Sequence, residues 1–110
     1  MKQYMIDELR IEDYKKIKLF LDENFEYSGF DGIYWLILNK DILSKVQFLH
    51  IDCQPYYFAI ELKLNCLSCE LLVRSKNAMQ CNCICYATEN QRNWLIRTID
   101  SIIKTNEIIV

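Results

Sequence analysis

The central part of the chain, from Tyr56 to Thr88, reads YYFAIELKLNCLSCELLVRSKNAMQCNCICYAT. Apolar and polar side chains alternate along most of it, and a period of two is typical of a strand that is buried on one face. Three strand-length runs can be separated, and they begin at Tyr56, Leu67 and Cys81. We therefore expect three consecutive antiparallel strands in this stretch, which also holds five of the six cysteines.

The alternation also suggests how the first two runs pair. A two-residue turn at positions 65–66 would place Leu62 opposite Cys69. The same register would place Glu61 directly opposite Glu70 on the other face of the sheet. Apolar residues then meet apolar residues, and a slip by one residue would turn the whole apolar set toward water.

Helical signals lie on both sides of this stretch. Apolar residues recur at helical spacing over Ile11–Asn24, and a short helix is expected over Asn39–Phe48 with the asparagine at its start. The clearest start signal is the pair Thr88 and Gln91, which matches a capping box. The last helix should therefore begin after Thr88 and end near Asn106.

The remaining apolar run, Ile33–Leu38, has the length of one further strand. The order is thus helix, strand, short helix, three strands and helix. This order favours an α+β fold, a two-layer sandwich with a four-stranded, mostly antiparallel sheet and with the N-terminal and C-terminal helices packed on one face. A length of 110 residues predicts a single domain over residues 1–110.

Composition narrows the classes of function. A net charge of −2 argues against a protein that binds nucleic-acid backbone. No apolar run is long enough for a membrane span, and the N-terminus lacks the apolar segment of a secretory signal. We therefore expect a cytoplasmic protein whose thiols stay reduced, with no nucleic-acid or membrane partner. Abundant Ile, Lys and Asn, with only two Gly and one Pro, suggest a bacterial source of low GC content.

The cysteines form two short patterns, Cys66-Leu-Ser-Cys69 and Cys81-Asn-Cys83-Ile-Cys85. Four of them, Cys66, Cys69, Cys83 and Cys85, could hold a tetrahedral zinc ion. On a strand, however, alternate side chains stand too far apart to chelate easily. We therefore expect the cysteines to serve as small apolar core residues, with no cofactor, and keep zinc binding as an alternative.

The face of the sheet away from the helices is the expected functional surface. An apolar patch bordered by charges on such a face is typical of a protein interface. The residues expected on it are Tyr57, Glu61, Glu70, Leu72, Arg74, Ile84 and Tyr86. The alternative is that another segment of the chain covers this face. We favour an interaction or homo-oligomerisation module, with a second copy or another protein as its partner, over an enzyme.

His50 supports the enzyme alternative. The only histidine lies close to Asp52 and Cys53, and these are the residue types of thiol catalysis. Three residues of one loop cannot easily be aimed at each other, however, so a surface histidine is the simpler interpretation. An enzyme would use a pocket between His50 and the aromatic loop that contains Gly29 and Gly32. An exposed Cys66 or Cys53 could also act in a redox module.

Overall fold

The computed structural model describes residues 2–108, which form three α-helices and seven strands. Two 3₁₀ turns, Lys40–Ile42 and Ile51–Cys53, flank the second helix. The helices are α1 (Ile11–Asn24), α2 (Lys45–Leu49) and α3 (Glu89–Thr105). The strands are β1 (Gln3–Ile6), β2 (Glu26–Tyr27), β3 (Ile33–Ile37), β4 (Tyr56–Leu62), β5 (Leu67–Glu70), β6 (Leu72–Ser75) and β7 (Cys85–Tyr86).

The two long helices begin and end where their sequence signals predict. Helix α1 covers the predicted range, and its first turn is closed by Asp13, which accepts hydrogen bonds from the backbone and side chain of Arg10. Helix α3 starts after Thr88, whose hydroxyl accepts from the backbone of Gln91, and its C-cap is Asn106. These boundaries depend on contacts within one turn of helix, so local sequence is enough to predict them.

The hydrophobic core combines residues of both long helices with the alternate residues of the central strand β4. Ile17 of α1 and Ile99 of α3 are fully buried, as are Phe58 and Ile60 of β4, and all four belong to one cluster. The ring of Trp94 on α3 stacks on Phe58 at a centroid distance of 6.3 Å. The period of two along β4 therefore reports burial, as the sequence predicts.

The sheet is antiparallel, as expected, but the prediction of four strands was wrong because seven strands are present. Its main path runs β1-β5-β4-β3-β2, and β6 pairs with β4 and β7. Strands β1 and β2, of four and two residues, are additional, and the predicted run from Leu67 is divided into β5 and β6, of four residues each. Segments this short show too little alternation to be recognised from sequence.

The predicted register between β4 and β5 was wrong by two residues. Leu62 pairs with Leu67, and Glu61 lies opposite Ser68. The connecting loop spans four residues, 63–66, and is closed by the amide of Lys63, which donates to the carbonyl of Cys66 over 2.8 Å. A shift of two residues leaves every side chain on its predicted face, so the alternation could not reveal it.

A wide bulge then separates β5 from β6. Cys69 pairs with Ile60, whereas Arg74 pairs with Tyr57. The four residues 70–73 therefore lie opposite only two residues of β4, 58 and 59. Leu71 lies within the bulge, where its amide donates to the carbonyl of residue 2 and its carbonyl accepts from residue 87. The bulge therefore lets β5 pair with β1 while β6 pairs with β7.

Two elements were predicted too long. The third predicted strand of the central stretch, which begins at Cys81 in the sequence pattern, is β7 and comprises only Cys85–Tyr86. Residues 78–84 form turns and loop instead. The expected short helix is divided into the 3₁₀ turn after Asn39 and helix α2, which Ser44 caps by accepting from the amide of Gln47. Both corrections concern the loops that carry the candidate site.

A candidate metal centre at two turns

Four side chains with metal-binding atoms converge where two loops meet. They are His50, Cys53, Cys81 and Cys83, and one ligand atom of each lies within 4.8 Å of all the others. Cys83 is fully buried, and the other three are half-buried. This is the one group of three or more His, Cys, Asp or Glu residues within 2–108 that has such geometry.

The first pair of side chains is presented by a 3₁₀ turn. The amide of Cys53 donates to the carbonyl of His50 over 3.0 Å. Residues three apart in such a turn lie above one another on the same side. The spacing His-x2-Cys therefore directs both side chains toward the same point. The 3₁₀ turn is the reason that two residues of one loop can meet here, which the sequence pattern did not predict.

The second pair is presented by a β-turn. The amide of Ile84 donates to the carbonyl of Cys81 over 3.0 Å, which closes a four-residue turn with Cys83 at its third position. In a strand the side chains of Cys81 and Cys83 would be separated by two full residue rises. The turn shortens this distance, so the wide spacing of alternate strand residues does not keep these two side chains apart.

A buried pair of glutamines holds the second turn in place. Gln47 donates to the carbonyl of Cys83 over 3.2 Å, and Gln91 donates to the side-chain oxygen of Gln47 over 2.8 Å. Both side chains are fully buried, and both also complete the capping boxes of their helices. The position of Cys83 is thus tied to the starts of α2 and α3.

The first turn is fixed from strand β6. The hydroxyl of Ser75 donates to the carbonyl of Cys53 and accepts from the amides of Asn77 and Ala78 over 3.1 and 3.0 Å. The same hydroxyl therefore connects the 3₁₀ turn to the beginning of the loop that leads to Cys81. Both turns are held by the protein itself, as a preorganised metal site requires.

The pKa values of two thiols in the cluster, Cys81 and Cys53, are shifted in opposite directions. Hydrogen bonds from the backbone and side chain of Cys83 lower the pKa of Cys81 to about 7, and His50 contributes to the shift. The Nδ1 atom of His50 lies 3.2 Å from the Cys81 sulfur. Burial, followed by hydrogen bonding to Cys83 and Cys81, raises the pKa of Cys53 to about 11. One thiolate is therefore favoured without metal, whereas a bound cation would favour three and release protons.

The distances suit a tetrahedral ion. Zinc binds sulfur at about 2.3 Å and nitrogen at about 2.0 Å, so tetrahedral ligand atoms stand roughly 3.5 to 3.8 Å apart. The observed limit of 4.8 Å and the separation of 3.2 Å between His50 and Cys81 bracket these values.

This donor set shares only Cys83 with the zinc alternative drawn from the sequence. Cys69 is fully buried in β5 between strands β1 and β4, and burial raises its pKa to about 12. Cys66 lies in the loop after β4, and Cys85 is exposed at the start of β7. All six cysteines are free thiols. The role of core hydrophobe fits Cys69, which is buried in the hydrophobic core and does not belong to the metal-binding group.

On β4, β5 and β6 the residues predicted for the interface are the less buried ones of the alternation. Tyr57 is half-buried and stacks on Trp35 at a centroid distance of 4.5 Å. Glu70 accepts from Arg74 over 3.0 Å, and Glu61 lies opposite Ser68 instead of opposite Glu70 as the predicted register had it.

The other two predicted interface residues depend on the shortened third strand. Tyr86 pairs with Leu72 and is 43 % exposed. Ile84 is half-buried and precedes β7 instead of lying within a strand. The predicted surface therefore combines residues of the sheet with one residue of the turn that carries Cys83.

The glycine loop and His50 line different places. The surface hollow beside His50 has a volume of about 510 Å³ and is lined by residues 49–53, with no residue from the glycine loop. Gly32 has a positive φ of 77°, and a Cβ there would lie 2.8 Å from the carbonyl oxygen of Leu62. Close packing of the turn against β4 therefore explains this glycine.

The sequence contains the signal for the site as two patterns, His-x2-Cys and Cys-x-Cys. The first pattern ends at Cys53, and the second begins 28 positions later, at Cys81. Neither pattern alone indicates a metal, and only their approach in space joins them.

Among residues 2–108, no helix has both the length and the apolar character needed to cross a membrane. Comparison of the chain with protein-family models, with curated proteins and with solved structures found no match.

Proposed function

We propose that this chain is a zinc-binding module in which His50, Cys53, Cys81 and Cys83 hold one ion. The observation that carries the proposal is the convergence of one ligand atom from each side chain within 4.8 Å. Three sulfurs and one imidazole nitrogen form a known set of structural zinc ligands. The ion would tie the loop between β6 and β7 to the segment that precedes β4.

The chemistry of the donors favours zinc over other divalent ions. Thiolates are soft ligands that select zinc, copper(I) or iron–sulfur clusters, whereas Mg²⁺ and Ca²⁺ prefer oxygen. Four protein ligands fill a tetrahedral shell, and catalytic zinc sites instead keep one position for water or substrate. The proposed role is therefore structural and not catalytic, in a cytoplasmic setting where thiols remain reduced.

Metal analysis tests the proposal directly. The chain, purified under reducing conditions without chelator, should carry about one equivalent of zinc by elemental analysis and native mass spectrometry. Replacing zinc by Co²⁺ should give the visible absorption of tetrahedral thiolate coordination. Cys83→Ser and Cys81→Ser should each lose most of the metal.

Two other cysteines provide matched controls. Cys66→Ser and Cys85→Ser should keep the full metal content, because neither thiol belongs to the cluster. If these controls lost the metal while Cys81→Ser retained it, the ion would be held by the set that sequence spacing alone suggested. Protein that contains no metal and takes up none on addition of zinc would refute the proposal.

The second candidate function is protein binding through the outer face of the sheet. In this proposal both long helices lie on the other face, and a partner protein or a second copy contacts Tyr57, Leu72 and Tyr86. The stack of Tyr57 on Trp35 supports it, since half-buried aromatic residues are common at the centres of interfaces. The ion pair of Glu70 and Arg74 would set the orientation.

Tyr86→Glu tests this surface. Tyr86 is 43 % exposed, so the substitution should leave the fold intact while it weakens association with a partner or with a second copy. Phe30→Glu is the control, because Phe30 is 71 % exposed in the glycine loop and does not belong to the surface. Association that Tyr86→Glu leaves unchanged would exclude the outer face.

A further inference from the structure

Large apolar side chains are exposed close in sequence to the ligands of the metal cluster. They lie in the two segments that carry the ligands, before and between His50 and Cys53 and just before Cys81. Their exposed fractions range from 42 % for Val46 to 97 % for Met79. The residues are Val46, Phe48, Leu49, Ile51 and Met79, and we call them the cluster patch.

Such a concentration is unusual for a surface that faces only water. Scattered exposed apolar residues are normal, but four of these five fall within the six consecutive positions 46–51. Leu49 and Ile51 also line the hollow of about 510 Å³ beside His50, so the cluster patch includes a concave part as well as projecting side chains. In a contact between two copies of the chain, the hollow of one copy can receive a projecting side chain of the other.

The charges at the two ends of the patch indicate the partner. Lys45 precedes the apolar segment and Asp52 follows it, and both are exposed. Neither takes part in an ion pair among residues 2–108. In a two-fold contact residue i meets residue j and j meets i, so antiparallel segments would bring Lys45 of each copy to Asp52 of the other.

We propose that the cluster patch is the contact surface of a homodimer formed by the metal-loaded chain. This inference rests on the proposed zinc site, since the ion joins the segment of Leu49 and Ile51 to the loop of Met79. Without the ion the two parts of the patch are held together only by protein contacts, and their relative position is less well defined. Dimerisation should therefore weaken when the metal is removed.

The test measures self-association and metal content on the same samples. Sedimentation equilibrium of the zinc-loaded chain should give a dimer, and a chelator should raise its dissociation constant. Met79→Glu and Leu49→Glu should each weaken the dimer by about tenfold or more. Phe30→Glu adds the same charge at another exposed aromatic position and should have no effect.

Charge exchange distinguishes a second copy from a non-specific apolar contact. Lys45→Asp and Asp52→Lys should each weaken the dimer, because like charges then face each other. The double variant should recover most of the affinity. Single variants without effect, or a double variant no better than the single ones, would overturn the two-fold arrangement.

The remaining outcomes separate this inference from the zinc site. A zinc-loaded chain that stays monomeric up to about 100 µM refutes the dimer and leaves the zinc site intact. A dimer through Met79 that removal of the zinc leaves unchanged refutes the dependence of the dimer on the metal, whereas only a chain that takes up no zinc refutes the zinc site. A dimer that Tyr86→Glu disrupts and Met79→Glu does not would assign the contact to the outer face of the sheet.

Discussion

Removal of the metal is expected to lower the melting temperature of this chain by about 15 °C. The ion would connect Cys53 to Cys81 and so close a loop of about 30 residues in the unfolded chain, as a disulfide would. Closure of such a loop is worth about 3.5 kcal/mol at 25 °C. For a chain of this length, 1 kcal/mol corresponds to about 4 °C in melting temperature.

Mass action gives a similar figure by an independent route. An ion that binds only the folded state at a free concentration of 1,000 times its dissociation constant contributes about 4 kcal/mol. The assay is thermal unfolding followed by circular dichroism in a reducing buffer, with and without EDTA. Hydrogen exchange should show the largest loss of protection in the loop of residues 76–84, which has little regular structure of its own.

Cys83→Ser is the internal control for this prediction. The variant lacks a ligand, so it should melt at the temperature of the chelated protein and should not respond to EDTA. Cys66→Ser should melt and respond as the unsubstituted chain does. A chelator effect of less than about 3 °C on the zinc-loaded chain would refute the reasoning that the ion closes this loop.

Three further results are expected. Gln47→Met should weaken zinc binding by about 10 to 100-fold, because it removes the donor to the Cys83 backbone, whereas the exposed Gln80→Ala should not. In metal-free protein, Cys81, whose pKa is about 7, should react with iodoacetamide increasingly as the pH rises through 7, and well before buried Cys69, whose pKa is about 12; peptide mapping that finds equal rates would contradict this. Gly32→Ala should destabilise the fold by at least about 1 kcal/mol in chemical unfolding, since its φ is positive and its Cβ would meet a backbone carbonyl; unchanged stability would show that the turn can move.

Prediction from sequence succeeded where the signal is local. The bounds of α1 and the capping box of Thr88 and Gln91 were predicted as observed, because each depends on residues three or four positions apart. The buried face of β4 was also predicted, since alternation reports burial directly. The pairing register was not, because a shift of two residues leaves this alternation unchanged.

The candidate site lay beyond local reasoning for a related reason. The sequence places His50 and Cys53 in one group and Cys81 and Cys83 in another. Its alternation predicts a strand for the second group, and alternate side chains on a strand do not easily chelate. The β-turn at Cys81 and the 3₁₀ turn at His50 change both geometries, and each turn is stabilised by contacts with distant residues.

Local sequence specifies the secondary elements with strong periodicity, the residues that point into the core, and the supply of thiols and one imidazole. Which of these ligands meet depends on tertiary contacts. The reason is that a metal site depends on distances of a few ångströms between segments almost 30 residues apart, and such distances are set by the sheet register, the bulge at Leu71 and the buried pair Gln47 and Gln91.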